Sequence, residues 1–386
     1  MTEVDTVATV VEPSMHGRSS PGSCLSLRIG RQGAIELPFH VAQFPGRVSV
    51  SERRRTSGSD AADRTRPATI ADVLEAEMTT DPIDRRTAVK LIAAATSVAL
   101  APSGITAAEA QEMTTRKVPS SGEEIPVIGM GSSDTFDVGD DMASRDGLRS
   151  VLQALVESGG RVIDTSPMYG RAETVLGDLI DQLGFGPRLW YATKVWTRGR
   201  DAGAKQIDES FARLRTKKLD LLQIHNLLDW REHVPTLRAL QAAGRVRYLG
   251  LTHYRADAHA DLERVLGEEE FDWLQVNYSL AEREAEDRLL PFCRDRGIAV
   301  MVNRPFADGA MFAKVRGRPL PGWAEEIGCR SWGQFLLRFV ISHPAVTCVI
   351  PATSKAQHMI DNAAAGQAPL PDGPQRRRMA EYWAQL

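Results

Sequence analysis

The chain has few cysteines, no excess of charge of either sign and no long hydrophobic run. Its four cysteines include no CxxC pair, which argues against a disulfide framework and a structural zinc site. Lysine and arginine number 47 against 50 aspartate and glutamate, so the chain has no global electrostatic footprint for nucleic-acid phosphate. No uncharged apolar run approaches the roughly 20 residues of a bilayer-spanning helix, which argues against a stable membrane span.

The remaining composition is that of a soluble globular protein, with 42% hydrophobic and 25% charged residues among 386. By length alone the chain accommodates two to three domains of about 100–200 residues, or one α/β barrel of about 250 residues with an appendage. The distribution of patterns along the chain decides between these two organisations.

Residues 1–77 lack sustained hydrophobic periodicity. They contain a serine-rich stretch at 19–23, three consecutive arginines at 53–55 and a polar stretch at 56–66. A segment with so few clustered apolar side chains cannot offset the entropy cost of ordering it. We therefore expect a disordered leader or a mis-assigned gene start, with translation beginning at Met78.

Residues 78–110 have the layout of an export signal. Arg85 and Arg86 precede an uncharged, alanine-rich stretch at 91–101, which at about 11 residues is too short to span a bilayer. A small-x-small cleavage site follows at 108–110. In this order the three parts resemble a twin-arginine signal, which exports folded proteins. We expect a periplasmic or exported protein that engages the twin-arginine export machinery, with a cytoplasmic location as the alternative.

The rest of the chain alternates strictly between strand-like and helix-like patterns. Eight runs rich in aliphatic and aromatic residues occur at 125–131, 161–166, 189–195, 219–226, 246–254, 271–279, 298–306 and 347–353. Helical patterns separate them, and Gly160, Gly244 and Gly297 stand where a helix end needs a left-handed residue. Eight such units in about 270 residues predict an α/β fold, a (β/α)8 TIM barrel over residues 111–386. A turn-forming segment at 115–125 predicts a hairpin ahead of the first strand.

A doubly wound open sheet is the alternative fold. It is less well supported because no GxGxxG phosphate loop follows a strand, and the segment 129–134 lacks the last glycine of that motif. The strand count and spacing therefore favour the closed barrel.

Polar side chains stand at the carboxyl ends of the predicted strands, where the active site of a TIM barrel lies. Asp164 ends the second strand, with Tyr169 in the following loop, and the next two strands end in Lys194 and His225. A lysine cation paired with Asp164 would lower the pKa of a nearby tyrosine from about 10 and make it a usable general acid or base. His225 can donate a hydrogen bond to a carbonyl oxygen. The sequence has neither an HExxH metal motif nor a GxSxG nucleophile motif, so these residues predict proton transfer to a carbonyl.

The ordered motifs resemble the aldo-keto reductase superfamily, and the paired arginines resemble those of an exported bacterial member. The matching pieces are Asp164-Thr165-Ser166-Pro167-Met168-Tyr169-Gly170, Glu173, Leu176-Gly177, Thr193-Lys194, Asp220-Leu221-Leu222-Gln223-Ile224-His225, the stretch 244–253, Gln275-Val276-Asn277-Tyr278 and Ile350-Pro351-Ala352-Thr353-Ser354. The resemblance covers residues 115–386 and implies NAD(P)H-dependent reduction of a small or mid-sized aldehyde or ketone to an alcohol. It implies Tyr169 as proton donor, tuned by Lys194 and Asp164. His225 would orient the carbonyl.

The resemblance also implies a nicotinamide cofactor at the later strand ends. The residues that match the family's cofactor positions are Gly131, Ser132, Asp164, Thr252, His253, Gln275, Asn303, Arg304, Pro305, Phe306, Thr353, Ser354, Lys355, His358, Asp361 and Asn362. Thr252, His253 and Gln275 match the positions that bind the nicotinamide amide. The residues from Thr353 onward match the positions that bind the adenosine end.

Several positions depart from the family's usual residues. Thr252-His253 replaces a Ser-Asn pair, and Asn303 replaces an aromatic residue that stacks on the nicotinamide. The stacking platform is therefore missing or comes from another residue.

The 2′-phosphate positions also depart from the family. Ala352 and His358 replace the lysine and arginine that typically bind this phosphate. Lys355 and Arg304 can compensate as charges, although with less geometric selectivity. We expect NADPH as the cofactor, with NADH as the alternative.

Aromatic residues and an insertion bear on the substrate. Trp196, Trp230 and Phe306 follow three of the strands, where they form an apolar wall or pack loops onto the barrel. The insertion at 307–331, between the seventh strand and its helix, is a candidate lid over the cofactor.

Two other functions remain open on the sequence. One is a cofactor-binding, redox-sensing or regulatory barrel with weak activity, as in the potassium channel beta subunits of this superfamily. The other is a Lys-dependent (β/α)8 aldolase in which Lys194 forms a Schiff base. The complete set of Asp164, Tyr169, Lys194 and His225 favours the reductase.

Overall fold

The computed structural model describes residues 112–367 and 369–386. The expected leader at 1–77 and the expected signal at 78–110 lie outside the described residues. Within the described part of the chain, no helix is both long enough and apolar enough to cross a membrane.

A hairpin precedes the barrel, as the turn-forming segment predicts. Strands β1 (Thr115–Lys117) and β2 (Glu124–Pro126) pair antiparallel. Ile125 is fully buried in the cluster of side chains that fills the barrel interior, and Ser121 Oγ lies 2.6 Å from Tyr248 Oη. The hairpin therefore closes the end of the barrel at which its strands begin.

Eight parallel strands form the barrel in the order in which they occur in the chain. They are β3 (Met130–Gly131), β4 (Val162–Asp164), β5 (Trp190–Val195), β6 (Leu219–His225), β7 (Val246–Thr252), β8 (Trp273–Asn277), β9 (Ala299–Asn303) and β10 (Val346–Val349). Hydrogen bonds join the first strand to the last, from Gly129 N to Val349 O (2.8 Å) and from Val349 N to Val127 O (2.9 Å). The predicted (β/α)8 barrel is confirmed, and the open sheet is excluded.

Helices cover the outside of the strands. The α-helices are α1 (Met142–Glu157), α2 (Ala172–Leu183), α3 (Arg200–Arg213), α4 (Trp230–Ala242), α5 (His259–Glu268), α6 (Leu289–Asp295), α7 (Ala310–Lys314), α8 (Trp332–Ile341), α9 (Ala356–Ala364) and α10 (Gly373–Gln385). Helix α1 shows why such a segment is helical. Asp141 Oδ1 accepts a hydrogen bond from Ser144 N at 2.9 Å, and Leu148, Val151 and Leu155 bury one face at helical spacing.

Strand β6 shows how the barrel positions its polar side chains. All seven of its residues are buried, because helices cover one face and the barrel interior the other. Leu222 and Ile224 belong to the outer core, whereas Leu221 belongs to the inner one. Period-two alternation then places Gln223 and His225 on the inner face as well.

The end of α1 differs from the sequence prediction. Gly159, rather than Gly160, adopts the left-handed backbone, with φ 83°. Gly160 is required for space, because a Cβ there would lie 2.4 Å from Leu155 Cδ1. Gly244 and Gly297 have φ of 69° and 66°, as the prediction requires.

The insertion at 307–331 contributes only its first part to the open end of the barrel. Phe312 on α7 borders the cavity at the carboxyl ends of the strands. Trp323 instead packs against Phe335 and Tyr382, with ring centroids 5.7 and 5.9 Å apart. The later part of the expected lid is therefore packed onto α8 and α10.

Candidate active site

The carboxyl ends of β4, β5 and β6 bring four of the predicted residues together. Lys194 Nζ lies 2.6 Å from Asp164 Oδ2 and 4.9 Å from the centre of the Tyr169 ring. The Tyr169 and His225 rings meet edge to face, with centroids 6.0 Å apart. The four side chains thus form one cluster, as the sequence predicts.

Lys194 is fully buried and charged. Burial lowers the pKa of its amine, but the negative charge of Asp164 and the proximity of Tyr169 raise it by more, so the net shift is upward. The amine also donates a hydrogen bond to Thr165 O at 2.7 Å. A stable cation therefore lies against the tyrosine ring.

Two glutamines complete the surroundings of Asp164. Gln223 Nε2 and Gln275 Nε2 donate to Asp164 Oδ1 at 3.1 and 2.7 Å, while Lys194 binds the other oxygen. Gln223 was not among the predicted site residues. Its position two residues before His225 on the inner face was the signal that could have identified it.

Tyr169 does not have the lowered pKa that its neighbours predict. Burial raises the pKa of the phenol by more than Lys194 lowers it, and the charge of Asp164 adds to the rise. The sequence argument counted the neighbouring cation but not the loss of water around the ring. The phenol is therefore protonated at neutral pH, which suits a proton donor.

His225 is buried and uncharged. Loss of hydration, with a further contribution from the positive charge of Lys194, lowers the pKa of its imidazole to about 2. Ser166 Oγ lies 3.3 Å from His225 Nδ1, and the Met168 amide donates to the same Oγ at 3.4 Å. A neutral imidazole has a single N–H, so the contact with Ser166 bears directly on which nitrogen carries it.

A cavity of about 720 Å³ opens over this cluster. The predicted residues that line it are Gly131, Ser132, Asp164, Tyr169, His225, Thr252, Gln275, Asn303, Arg304, Pro305 and Phe306. Its volume lies in the range of about 300–1,000 Å³ that is usual for small-molecule and cofactor sites. Lys194 lies outside this lining and acts on the cavity through Tyr169.

Five wall residues carry buried polar atoms without a hydrogen-bond partner among the described residues. The atoms are Ser132 Oγ, Thr135 Oγ1, Asn226 Oδ1, Asn303 Oδ1 and Arg304 Nε. Buried polar atoms in folded proteins are nearly always paired. These five therefore mark a part of the wall that suits a polar ligand.

Seven predicted cofactor residues lie outside the cavity lining: His253, Thr353, Ser354, Lys355, His358, Asp361 and Asn362. His253 Nδ1 accepts hydrogen bonds from the two amides that follow it, at 3.1 and 3.2 Å. Asp361 accepts from Ser331 Oγ and Gln334 Nε2 at 2.6 and 2.7 Å, which anchors the start of α8. Apart from His253, the seven follow β10 or lie on α9, so they are grouped together beside the cavity.

Large apolar side chains stand at the rim of the cavity, beside the exposed Asp134 and Asp308. These side chains are Met168, Trp196, Tyr254 and Phe312, each with 39–43% of its surface exposed. Trp196 and Phe306 supply the aromatic wall that the sequence suggests, whereas Trp230 is buried at the start of α4 and does not line the cavity. Tyr254 and Phe312 belong to no motif, so nothing in the sequence marked them as rim residues.

Comparison with known proteins identifies the family. The model of the Aldo/keto reductase family matches residues 127–376. The chain belongs to the aldo/keto reductase family. The prediction that it is an NAD(P)H-dependent oxidoreductase of the aldo/keto reductase type is confirmed.

Relatives of this aldo/keto reductase include small-carbonyl reductases. The methylglyoxal reductase YeaE of Escherichia coli (strain K12) is 30% identical over 262 residues, which cover 65% of this chain and 89% of the relative. The glyoxal reductase of Bacillus subtilis (strain 168) is 26% identical over 247 residues, covering 63% and 83%. An aldo/keto reductase from Klebsiella pneumoniae in complex with NADP and acetate is 27% identical, with a TM-score of 0.60, and the match covers 70% of this chain and 95% of that one.

Proposed function

We propose that this aldo/keto reductase reduces small or mid-sized aldehydes and ketones to alcohols, with Tyr169 as the proton donor. One observation carries the proposal. The buried pair of Lys194 and Asp164 lies against Tyr169 at the cavity wall. This arrangement places a proton donor and a compensating cation where a carbonyl oxygen can bind.

Tyr169 supplies the proton in the proposed reaction. Its raised pKa keeps the phenol protonated until negative charge develops on the carbonyl oxygen. Lys194, 4.9 Å from the ring centre, stabilises the phenolate that remains after the transfer. Asp164 holds the lysine amine at 2.6 Å, so the cation is in place before the reaction begins.

His225 orients the carbonyl oxygen in the proposed reaction. The Met168 amide donates to Ser166 Oγ, and we propose that the serine hydroxyl donates in turn to His225 Nδ1, 3.3 Å away. The imidazole proton then resides on Nε2, where it can be donated to the carbonyl oxygen. With a pKa of about 2, the ring stays uncharged and leaves the role of acid to Tyr169.

The unpaired wall atoms fit a nicotinamide dinucleotide. A hydroxyl on Ser132, an amide oxygen on Asn303 and a guanidinium N–H on Arg304 match the hydroxyl, carboxamide and phosphate groups of such a molecule. We propose NADPH, with NADH as the alternative, and the NADP in the Klebsiella pneumoniae relative supports this choice. When bound, the cofactor supplies the hydrogen and the electron pair that the carbonyl carbon gains.

The choice between NADPH and NADH depends on the charge available for the 2′-phosphate. Arg304 already pairs with Glu282 at 3.3 Å and Asp308 at 3.1 Å. We therefore propose that a preference for NADPH depends on the positive charge of Lys355. Dissociation constants measured by cofactor fluorescence test the choice. A tighter constant for NADPH supports the proposal, and a clear preference for NADH refutes it.

Oxidation of NADPH, followed by its absorbance, tests the proposed reaction on a panel of aldehydes and ketones that includes methylglyoxal. In Tyr169→Phe the ring remains against Lys194 but cannot donate a proton. We expect kcat/KM to fall about 10²- to 10⁴-fold, while the dissociation constant for NADPH stays unchanged. Full reductase activity in Tyr169→Phe would show the mechanism to be wrong.

The two alternative functions have less support. A Schiff-base lysine needs an uncharged, accessible amine. Lys194 is instead fully buried and paired with Asp164, and the pKa of its amine is raised. Borohydride trapping with substrate would reveal an imine, and we expect none. A redox-sensing barrel with weak activity would turn over far more slowly than the usual range of about 1–10³ per second.

We also propose that the protein is exported to the periplasm through the twin-arginine machinery. The support is the paired Arg85 and Arg86, the short apolar stretch at 91–101 and the small-x-small site at 108–110. Cell fractionation with sequencing of the mature amino terminus tests this location. A protein found in the cytoplasm with its amino-terminal residues uncleaved would contradict the export.

A further inference from the structure

We propose that Asp134 makes the site selective for uncharged or cationic carbonyl compounds, and against carbonyl compounds that carry a carboxylate. The inference rests on the proposed carbonyl reduction and adds to it the charge of the substrate. Asp134 acts here as a specificity-determining residue and takes no part in proton transfer.

The turn between β3 and α1 fixes Asp134 at the cavity that Tyr169 also lines. Phe136 N donates to Ser132 O at 3.1 Å, and within this turn Asp134 has a left-handed backbone with φ 57°. Aspartate is one of the few residue types that adopt this conformation readily. Ser133 Oγ donates to Asp134 Oδ2 at 3.2 Å, which further restrains the carboxylate.

Asp134 and Tyr169 line the same cavity. Burial raises the pKa of Tyr169 and Lys194 lowers it, while Asp164 and, to the smallest extent, Asp134 add to the rise. The carbonyl oxygen of a substrate must come within hydrogen-bonding distance of the phenol. A substituent that extends from that carbonyl towards solvent therefore passes through the field of Asp134.

Asp134 forms no salt bridge among residues 112–367 and 369–386. Arg304, which lines the cavity, and Lys194, which lies against Tyr169, are both paired with other carboxylates. Lys194 pairs with the aspartate of β4. Arg304 carries one charge against the two carboxylates of Glu282 and Asp308. Asp134 is exposed at the cavity rim, so a substrate carboxylate beside it would meet like charge that solvent weakens but does not abolish.

The rim complements an apolar or cationic substituent. Apolar surface on Met168, Trp196, Tyr254 and Phe312 favours alkyl and aryl groups. The faces of tryptophan and tyrosine also attract an ammonium group. The inferred substrates are therefore aryl or alkyl aldehydes and ketones that are uncharged or carry an ammonium group.

Three para-substituted benzaldehydes of similar size test the inference. They are 4-carboxybenzaldehyde, its methyl ester, and 4-(trimethylammonio)benzaldehyde, assayed with NADPH. For the unmodified protein we expect kcat/KM to be lowest for the carboxylate. In Asp134→Asn, which keeps the shape of the side chain, we expect the carboxylate-to-ester ratio of kcat/KM to rise about five- to tenfold. We expect the cation-to-ester ratio to fall.

Asp137→Asn is the matched control. Asp137 lies three residues further along the same loop, so the substitution makes the same change in net charge. Its carboxylate accepts a hydrogen bond from the Arg171 amide at 2.9 Å and does not line the cavity. We expect its carboxylate-to-ester ratio to stay within about twofold of the unmodified protein, because solvent and salt screen the more distant charge.

Unchanged ratios in Asp134→Asn would overturn the inference. So would a changed dissociation constant for NADPH without a change in the two ratios, since Asp134 would then act on the cofactor. Calorimetric binding of the same three aldehydes to Tyr169→Phe separates this inference from the proposed function, because binding needs no turnover. If Tyr169→Phe binds the carboxylate more weakly than the ester, and this difference disappears when Asp134→Asn is added, the inference is supported even if no carbonyl is reduced. If Tyr169→Phe binds the three aldehydes equally well, the inference is overturned.

Discussion

Lys194 forms a buried ion pair with a single aspartate. Its side chain is fully buried, and Asp164 Oδ2 lies 2.6 Å from its amine. Removing one member of a buried ion pair leaves an uncompensated charge, whereas removing both leaves none. The stability of the cluster therefore depends on the pair as a unit.

A double-mutant cycle measures this coupling. We expect Asp164→Asn and Lys194→Met each to lower the free energy of unfolding by about 3 kcal/mol. The double variant should lose clearly less than the sum, because no unpaired charge remains in it. Urea denaturation of the four proteins gives the values, and additive losses would contradict the expectation.

Ser166 should control the tautomer of His225 without touching the substrate. We expect Ser166→Ala to lower kcat/KM about tenfold, an effect of roughly 1.4 kcal/mol on the barrier, and to change the nitrogen-15 shifts of the His225 ring. Thr165→Val is the matched control, because Thr165 Oγ1 is buried without a partner among the described residues. Equal effects of the two substitutions would mean that Ser166 has only a packing role, and Ser166→Thr should restore activity.

The grouping of Tyr169, Lys194 and Asp164 at one site could be predicted from the sequence, because each lies at or just after the end of an apolar strand. Their roles in proton transfer stay a prediction. The direction of the Tyr169 pKa shift could not be predicted, since the loss of hydration that raises it depends on packing around the ring. Gln223 was missed for a related reason. Its hydrogen bond to Asp164 joins two strands and has no signature within either one.

At the scale of elements, the alternation of strand and helix predicts eight units because both faces of each barrel strand are buried. The first boundary was wrong, however. The run at 125–131 is continuously apolar, but the structure divides it between β2 in the hairpin and β3 in the barrel. Both strands bury apolar side chains, so the hydrophobic pattern alone does not show where the first strand ends and the second begins.

Helix α2 approaches the end of α3 at a glycine. A Cβ on Gly177 would lie 2.0 Å from the backbone oxygen of Arg213, so Gly177→Ala should force the two helices apart and cost about 1–3 kcal/mol of stability. Gly267→Ala in α5 is the control, because nothing lies within 4 Å of a Cβ there. We expect that control to gain about 0.5–1 kcal/mol through helix propensity. Thermal unfolding compares them, and equal melting temperatures would contradict the close packing.

The whole molecule should lose stability in mild acid. Burial is the main cause that lowers the pKa of His225 to about 2 and of His343 to about 4. In the unfolded chain both titrate near about 6.5. Unfolding therefore takes up protons below that pH, and each histidine lowers the free energy of unfolding by about 1.4 kcal/mol per pH unit. This loss of stability with falling pH continues down to about pH 4 for His343 and to about pH 2 for His225.

Urea denaturation between pH 7 and pH 5 tests this dependence. His343 Nδ1 accepts a hydrogen bond from the Ala345 amide at 3.2 Å, an acceptor role that the side-chain oxygen of His343→Asn can retain without titrating. We expect this variant to show about half the pH slope of the unmodified protein, because one of the two histidines remains. An unchanged slope would place the acid sensitivity elsewhere in the molecule.

The hairpin that closes the barrel also fixes the position of the residues just before it. Thr114 N donates to Gly366 O at 2.9 Å, and Met113 pairs with Gln367, so residue 112 stands on the closed side of the barrel, remote from the cavity rim. A linker attached directly before that residue would leave from the back of the enzyme. The catalyst can therefore be immobilised on a bead or an electrode through its amino-terminal side, with its entrance turned towards the solution.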